Sequence, residues 1–76
     1  MRKMTRKELK GYAGSIATDI THYSFEQTAE FIKTHDIEKI AYTAGTCGIN
    51  GGLIQDRNTG NFYTITARNS TLMMIF

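Results

Sequence analysis

The sequence predicts an α+β domain in which two N-terminal helices pack on one face of a four-stranded antiparallel meander, in the order ααββββ. Three observations predict it. Apolar residues recur at steps of three and four through the first part of the chain. Two capping-box patterns, Thr5 with Glu8 and Ser24 with Gln27, mark helix starts. Beyond Asp36 the chemistry changes to Ile, Tyr, Thr and Phe punctuated by Gly and Asn, the residues of strands and turns. At 76 residues the chain reads as a single domain, 1–76, with residues 1–4 as a basic, flexible lead-in. That length is near the lower limit for a core without disulfides or metal, so sharing apolar surface with a second copy is expected.

The first helix is expected from Thr5 through Tyr23, with Leu9, Tyr12, Ala13, Ile16, Ala17 and Ile20 on its apolar stripe. Gly11 and Gly14 each lower helix propensity by about 1 kcal/mol relative to Ala, so packing has to hold it, and Gly14 reads as a tolerated glycine at the rim. Ser24 opens the second helix, Glu26 favours the positive end of its dipole, and His35-Asp36 ends it. Phe25, Ala29 and Ile32 are its expected inner face, with Phe31 at the edge.

Three turn signals divide the remainder into four strands. Asn50-Gly51 has the composition of a type I′ hairpin turn, residues 58–61 suit a longer loop with Gly60 left-handed, and Asn69-Ser70 suits a third turn. These turns set Ile49 against Gly52, Cys47 against Ile54, Ile54 against Ile65 and Ala67 against Leu72. One face then gathers Ile49, Ile54, Tyr63, Ile65, Leu72 and Phe76, with Cys47, Ala67 and Met74, as a floor for the helices. Ile40 and Tyr42 fall out of phase with that face, which calls for a β-bulge, placed at Gly45 or Gly48.

The glycine-rich run TAGTCGINGG raises the question of a phosphate cradle. A strand follows it instead of a helix, and the Lys-Ser/Thr pair of a P-loop is missing, so its glycines read as bulges, a turn and room for neighbouring side chains. Cys47 points into the apolar floor in this register, where a thiol is inert, and His22 and His35 read as polar residues bounding the second helix. One cysteine and two histidines at no recognised spacing predict no metal site, and nothing in the chain predicts a cofactor or a catalytic group. The expectation is a protein that is not an enzyme.

Apolar runs are too short to span a bilayer, the basic amino end lacks the hydrophobic segment of a secretory signal, and the lone cysteine suits a reducing compartment. A cytoplasmic protein without a membrane partner is expected. Usage rich in Ile, Asn, Lys and Tyr with no proline suggests an AT-rich bacterial or phage coding sequence. The positive charge is concentrated in Arg2, Lys3, Arg6, Lys7 and Lys10, candidate contacts to nucleic acid.

The second face of the predicted sheet carries Leu53, Arg57, Phe62, Thr64, Arg68, Met73 and Ile75. Apolar anchors interleaved with arginine and threonine have the composition of an interface, and residues 71–76 would form an open sheet edge. The functional expectation is therefore a small binding or regulatory module. It would form a homodimer, or meet another protein, through its sheet. The alternative is a nucleic-acid binder using the basic arm with the arginines and aromatics of the sheet.

Overall fold

The computed structural model describes residues 1–46, 48–66 and 70–76. Along them run β1 (Arg2–Lys3), α1 (Arg6–Tyr12), β2 (Ala17–Asp19), α2 (Phe25–Thr34), β3 (Ile37–Gly45), β4 (Gly48–Asp56), β5 (Phe62–Ile65) and α3 (Ser70–Ile75). The strands form one mixed sheet in the order β1-β3-β4-β5-β2. Its centre is antiparallel, β3 against β4 and β4 against β5, while the short edges β1 and β2 run parallel to β3 and β5. The expected ααββββ meander with both helices on one face is thus corrected to an α+β domain whose sheet begins before the first helix.

Both capping boxes form as the sequence specifies. The Thr5 hydroxyl accepts from the Glu8 N–H while the Glu8 carboxylate accepts from the Thr5 N–H, each at 3.1 Å. The equivalent pair joins Ser24 and Gln27 at 2.8 and 3.1 Å. The first helix nonetheless stops at Tyr12 instead of continuing to Tyr23. Gly14 takes φ +80°, its N–H donates to the Ala17 carbonyl, and the Ser15 hydroxyl donates to the Gly11 and Tyr12 carbonyls, so the helix end is closed locally. Ala17, Thr18 and Asp19 then find backbone partners beside Phe62, Tyr63 and Thr64, an alternative that helical periodicity does not reveal.

The strand region departs from expectation in its turns more than in its faces. Asn50 and Gly51 lie inside β4, and the preceding hairpin joins Gly45 to Gly48. The irregularity is not at Gly45 or Gly48, which pair with each other, but at two register shifts that leave Ile40 of β3 and Asn50 of β4 without opposite residues. Across the loop containing Gly60, at φ +78°, Ile54 faces Tyr63 in place of Ile65. That is a slip of two residues, which keeps every side chain on its expected face. The last strand, expected over residues 71–76, is α3: Thr71, Leu72 and Ile75 are buried at helical spacing. Over six residues the period-two and period-three readings of this segment were nearly equivalent.

Helices cover both sheet faces. On one, α2 and α3 bring Phe31, Leu72 and Ile75 onto Ile54 and Ile65, with Ile20 beside them and Ile49, Tyr63 and Phe76 packed around. On the other, α1 brings Leu9 onto Ala17, Ala41 and Leu53 beside Met4. Gly51 and Gly52 show how close these layers come. A Cβ on Gly51 would lie 2.7 Å from the Ile65 carbonyl oxygen and 2.8 Å from Leu9 Cδ2, and a Cβ on Gly52 would overlap the Phe76 ring. The Gly-Gly pair lets the sheet be thin on both sides at one place. Cys47, Ala67, Arg68 and Asn69 lie outside the described residues, as therefore do the expectations of a core thiol at Cys47, of Ala67 in the floor and of a turn at Asn69.

Candidate interaction surfaces

The face-covering helices redistribute the expected sheet interface. Leu53 is 2% exposed beneath α1, Thr64 is fully buried, and Phe62 packs against the same cluster. Ile75 points into the opposite core. Arg57 stands in the loop after β4, its guanidinium 3.0 Å from Asp36 and 3.8 Å from Glu38, and its N–H donates to the Asp36 carbonyl. Met73 remains outward, 77% exposed on α3, and Arg68 is outside the described residues. The described ones do not share one exposed face, because Ser70–Ile75 is a helix and α1 occupies the side expected as the interface.

One outward apolar surface lies on the α2–α3 layer. The inner face of α2 is Thr28 and Phe31, not the expected Phe25, Ala29 and Ile32. Thr28 tolerates burial because its hydroxyl donates to the Ser24 carbonyl and lies 2.8 Å from that of Thr71, which in turn reaches the Tyr23 carbonyl. With the helix turned this way, Phe25 and Ile32 stand 63% and 38% exposed, on the same layer as Met73. The signal was present as an apolar i, i+4, i+7 stripe; what hid its direction was a buried threonine.

Another side of α2 borders a groove of about 470 Å³, lined by Tyr23, Glu26, Glu30, Phe31, Thr34 and His35, with Gln27 alongside. Its aromatic side is firmly built. The His35 ring stacks on Phe31 at 4.1 Å, and Tyr23 and Tyr63 meet Phe31 edge-on at 5.8 and 4.9 Å. His35 Nδ1 is 2.9 Å from the Phe31 carbonyl oxygen, which fixes the ring as part of the wall. His22 packs edge-on against Tyr23. Glu26 and Glu30, one helical turn apart, have no ion-pair partner among the described residues.

Three basic residues, Arg6, Lys7 and Lys10, lie on α1, across the sheet from this groove. Residues 1–4, expected as a flexible lead-in, pair at Arg2–Lys3 with β3 and bury Met4. Arg2 is held 3.8 Å from Glu8, whose carboxyl is pulled below its ordinary range by the Thr5 backbone N–H first, then by the Thr5 hydroxyl and Arg2. Lys3, Arg6, Lys7 and Lys10 are exposed and make no ion pair among the described residues.

A second depressed carboxyl, Asp56, is structural. It is 2% exposed, and hydrogen bonding by the Asn58 backbone N–H leads the lowering, against the opposing effect of burial, with the Asp36 backbone and His35 adding to it. Among the described residues no three His, Cys, Asp or Glu side chains are grouped to hold a metal ion, and no helix is long and apolar enough to cross a membrane. Comparison with protein families, curated proteins and solved structures finds no match to this chain.

Proposed function

We propose that the protein is a small non-enzymatic binding module that self-associates through the outer surface of its α2–α3 layer. The observation that carries this reading is the exposure of Phe25, Ile32 and Met73 on that layer. Burying a large apolar side chain is worth roughly 1.5–3 kcal/mol, and these are partly covered already, so a few of them yield a gain of the same order as the roughly 4–15 kcal/mol cost of association. The balance favours a concentration-dependent contact over an obligate one. Sedimentation equilibrium of the native chain is expected to show mass rising with concentration, and Phe25→Ser with Met73→Ser to abolish the rise while leaving the unfolding midpoint in place. A native chain that stays monomeric throughout overturns the reading.

A second reading has its own observation: Arg6, Lys7 and Lys10 lie together on α1 without ion-pair partners among the described residues. Three phosphate contacts would give a slope of about −3 in log K against log salt on duplex DNA. An oligonucleotide titration at several salt concentrations tests it, and a flat salt response removes it.

A further inference from the structure

Two surfaces on opposite sides of the sheet are complementary in charge. One side, formed by α1 and the turn after it, carries Arg6, Lys7 and Lys10, which make no ion pair among the described residues, together with exposed Ile16. The other, the α2–α3 layer, carries Glu26 and Glu30 on the rim of an aromatic groove, with Phe25, Ile32 and Met73 outward. Lys33 follows Glu30 by three residues yet forms no ion pair with it. Carboxylates at i, i+4 on one helix repel when nothing opposes them, and a cation placed between them and an aromatic wall gains from both. Long basic side chains suit such a groove because their stems pack on the rings while their heads reach the carboxylates.

We propose that the groove beside α2 receives the basic α1 side of a second copy of this chain, so that self-association is head-to-tail. The proposal rests on the self-association reading and adds its geometry. Each copy offers one donor side and one acceptor side on opposite faces of its sheet, so the contact is heterologous and does not close at two copies. Assembly grows past the dimer as concentration rises, and it weakens with salt because the paired charges are exposed.

Charge reversal on each side tests this. Lys7→Glu with Lys10→Glu makes both sides of the molecule acidic, and Glu26→Lys with Glu30→Lys makes both basic. All four positions are exposed, and thermal unfolding of each variant verifies that it is folded. Each variant alone is expected to lose assembly at least tenfold in apparent affinity, and an equimolar mixture to recover it. Native protein supplies a check that needs no variant: its assembly falls as salt is raised. Charge variants that assemble like the native chain, a mixture that fails to recover, or a native assembly that stops at a dimer and ignores salt overturns the head-to-tail geometry. In those cases Phe25→Ser still reports separately on whether the α2–α3 layer is the contact. A native chain that never associates defeats both the geometry and the reading beneath it.

Discussion

One methyl group added at Gly51 or Gly52 probes how closely helices and sheet approach. In Gly51→Ala the new Cβ meets the Ile65 carbonyl oxygen at 2.7 Å, Leu9 Cδ2 at 2.8 Å and Thr43 Oγ1 at 3.0 Å. Leu9 could rotate away, but the carbonyl belongs to the residue opposite Gly52 in the β4–β5 ladder, so relief there requires the strands to spread. Overpacking of this kind costs about 1–3 kcal/mol, and a backbone obstacle places Gly51→Ala in the upper half, about 2–3 kcal/mol. In Gly52→Ala the obstacle is the Phe76 ring, which also lies 6.0 Å from Lys39 Nζ. The contact is with the far edge of that ring, which can turn aside and lose part of its burial for about 1–2 kcal/mol.

For a domain of this size each kcal/mol moves the midpoint by about 4–8 °C, so Gly51→Ala is expected to lower Tm by about 8–24 °C. Thermal unfolding followed by circular dichroism reads this directly. Gly51→Asn separates the packed strand from a hairpin turn at the same position. Asparagine is well tolerated at the positive φ of a type I′ turn, whereas the larger side chain is worse than alanine where Leu9 and the Ile65 carbonyl stand. Unchanged midpoints in Gly51→Ala and Gly52→Ala, or Gly51→Asn more stable than Gly51→Ala, would refute the two-sided packing.

Other perturbations have definite signs. Gly14→Ala forces a Cβ into φ +80° in otherwise open space and is expected to cost about 1–2 kcal/mol, while Gly11→Ala, inside α1 with nothing near its Cβ, is expected to stabilise by about 0.5–1 kcal/mol. Urea unfolding of the two variants compares them. Thr28→Val is expected to cost about 1–3 kcal/mol by stranding buried groups around Thr71 and Ser24, and a double-mutant cycle with Thr71→Val should show coupling between the two hydroxyls. Asp56 has a folded pKa below its unfolded value, so its contribution to stability is complete above the ordinary aspartate pKa of about 3.9 and is lost as pH falls through the lower folded value. Acid titration of Asp56→Asn should accordingly lack that component of the loss, as measured by unfolding midpoints across the acidic range.

Local features of this chain were legible in its sequence because they depend on a few neighbouring residues. Thr5 with Glu8 and Ser24 with Gln27 specify their own hydrogen bonds, and Gly60 marks its loop. The facing of Ile54, Tyr63 and Ile65 also followed, since alternation survives a two-residue slip. What failed depended on distant partners. Asn50-Gly51 has the composition of a turn, but its glycine is demanded by the Ile65 backbone carbonyl on the neighbouring strand and by Leu9 of α1, both distant in the chain. Ala17–Asp19 continues a helical stripe and becomes a strand because β5 offers it a parallel edge. Leu53, Phe62 and Thr64 were assigned to an intermolecular interface for the same reason: once α1 crosses to the far face of the sheet, the apolar alternation describes a second core. Met73 kept its exposure even though its strand became a helix, and Phe25 and Ile32 were displaced from the core by Thr28, whose hydroxyl partners no local pattern announces.

The most direct test of the α2–α3 layer as the contact surface is a dilution series followed by methyl NMR on the native protein. The Met73 and Ile32 methyl resonances are predicted to shift with concentration, while those of Leu53, sealed beneath α1, stay in place. Resonances of Met73 and Ile32 that do not move from micromolar to millimolar concentration, or shifts confined to other parts of the fold, would contradict it.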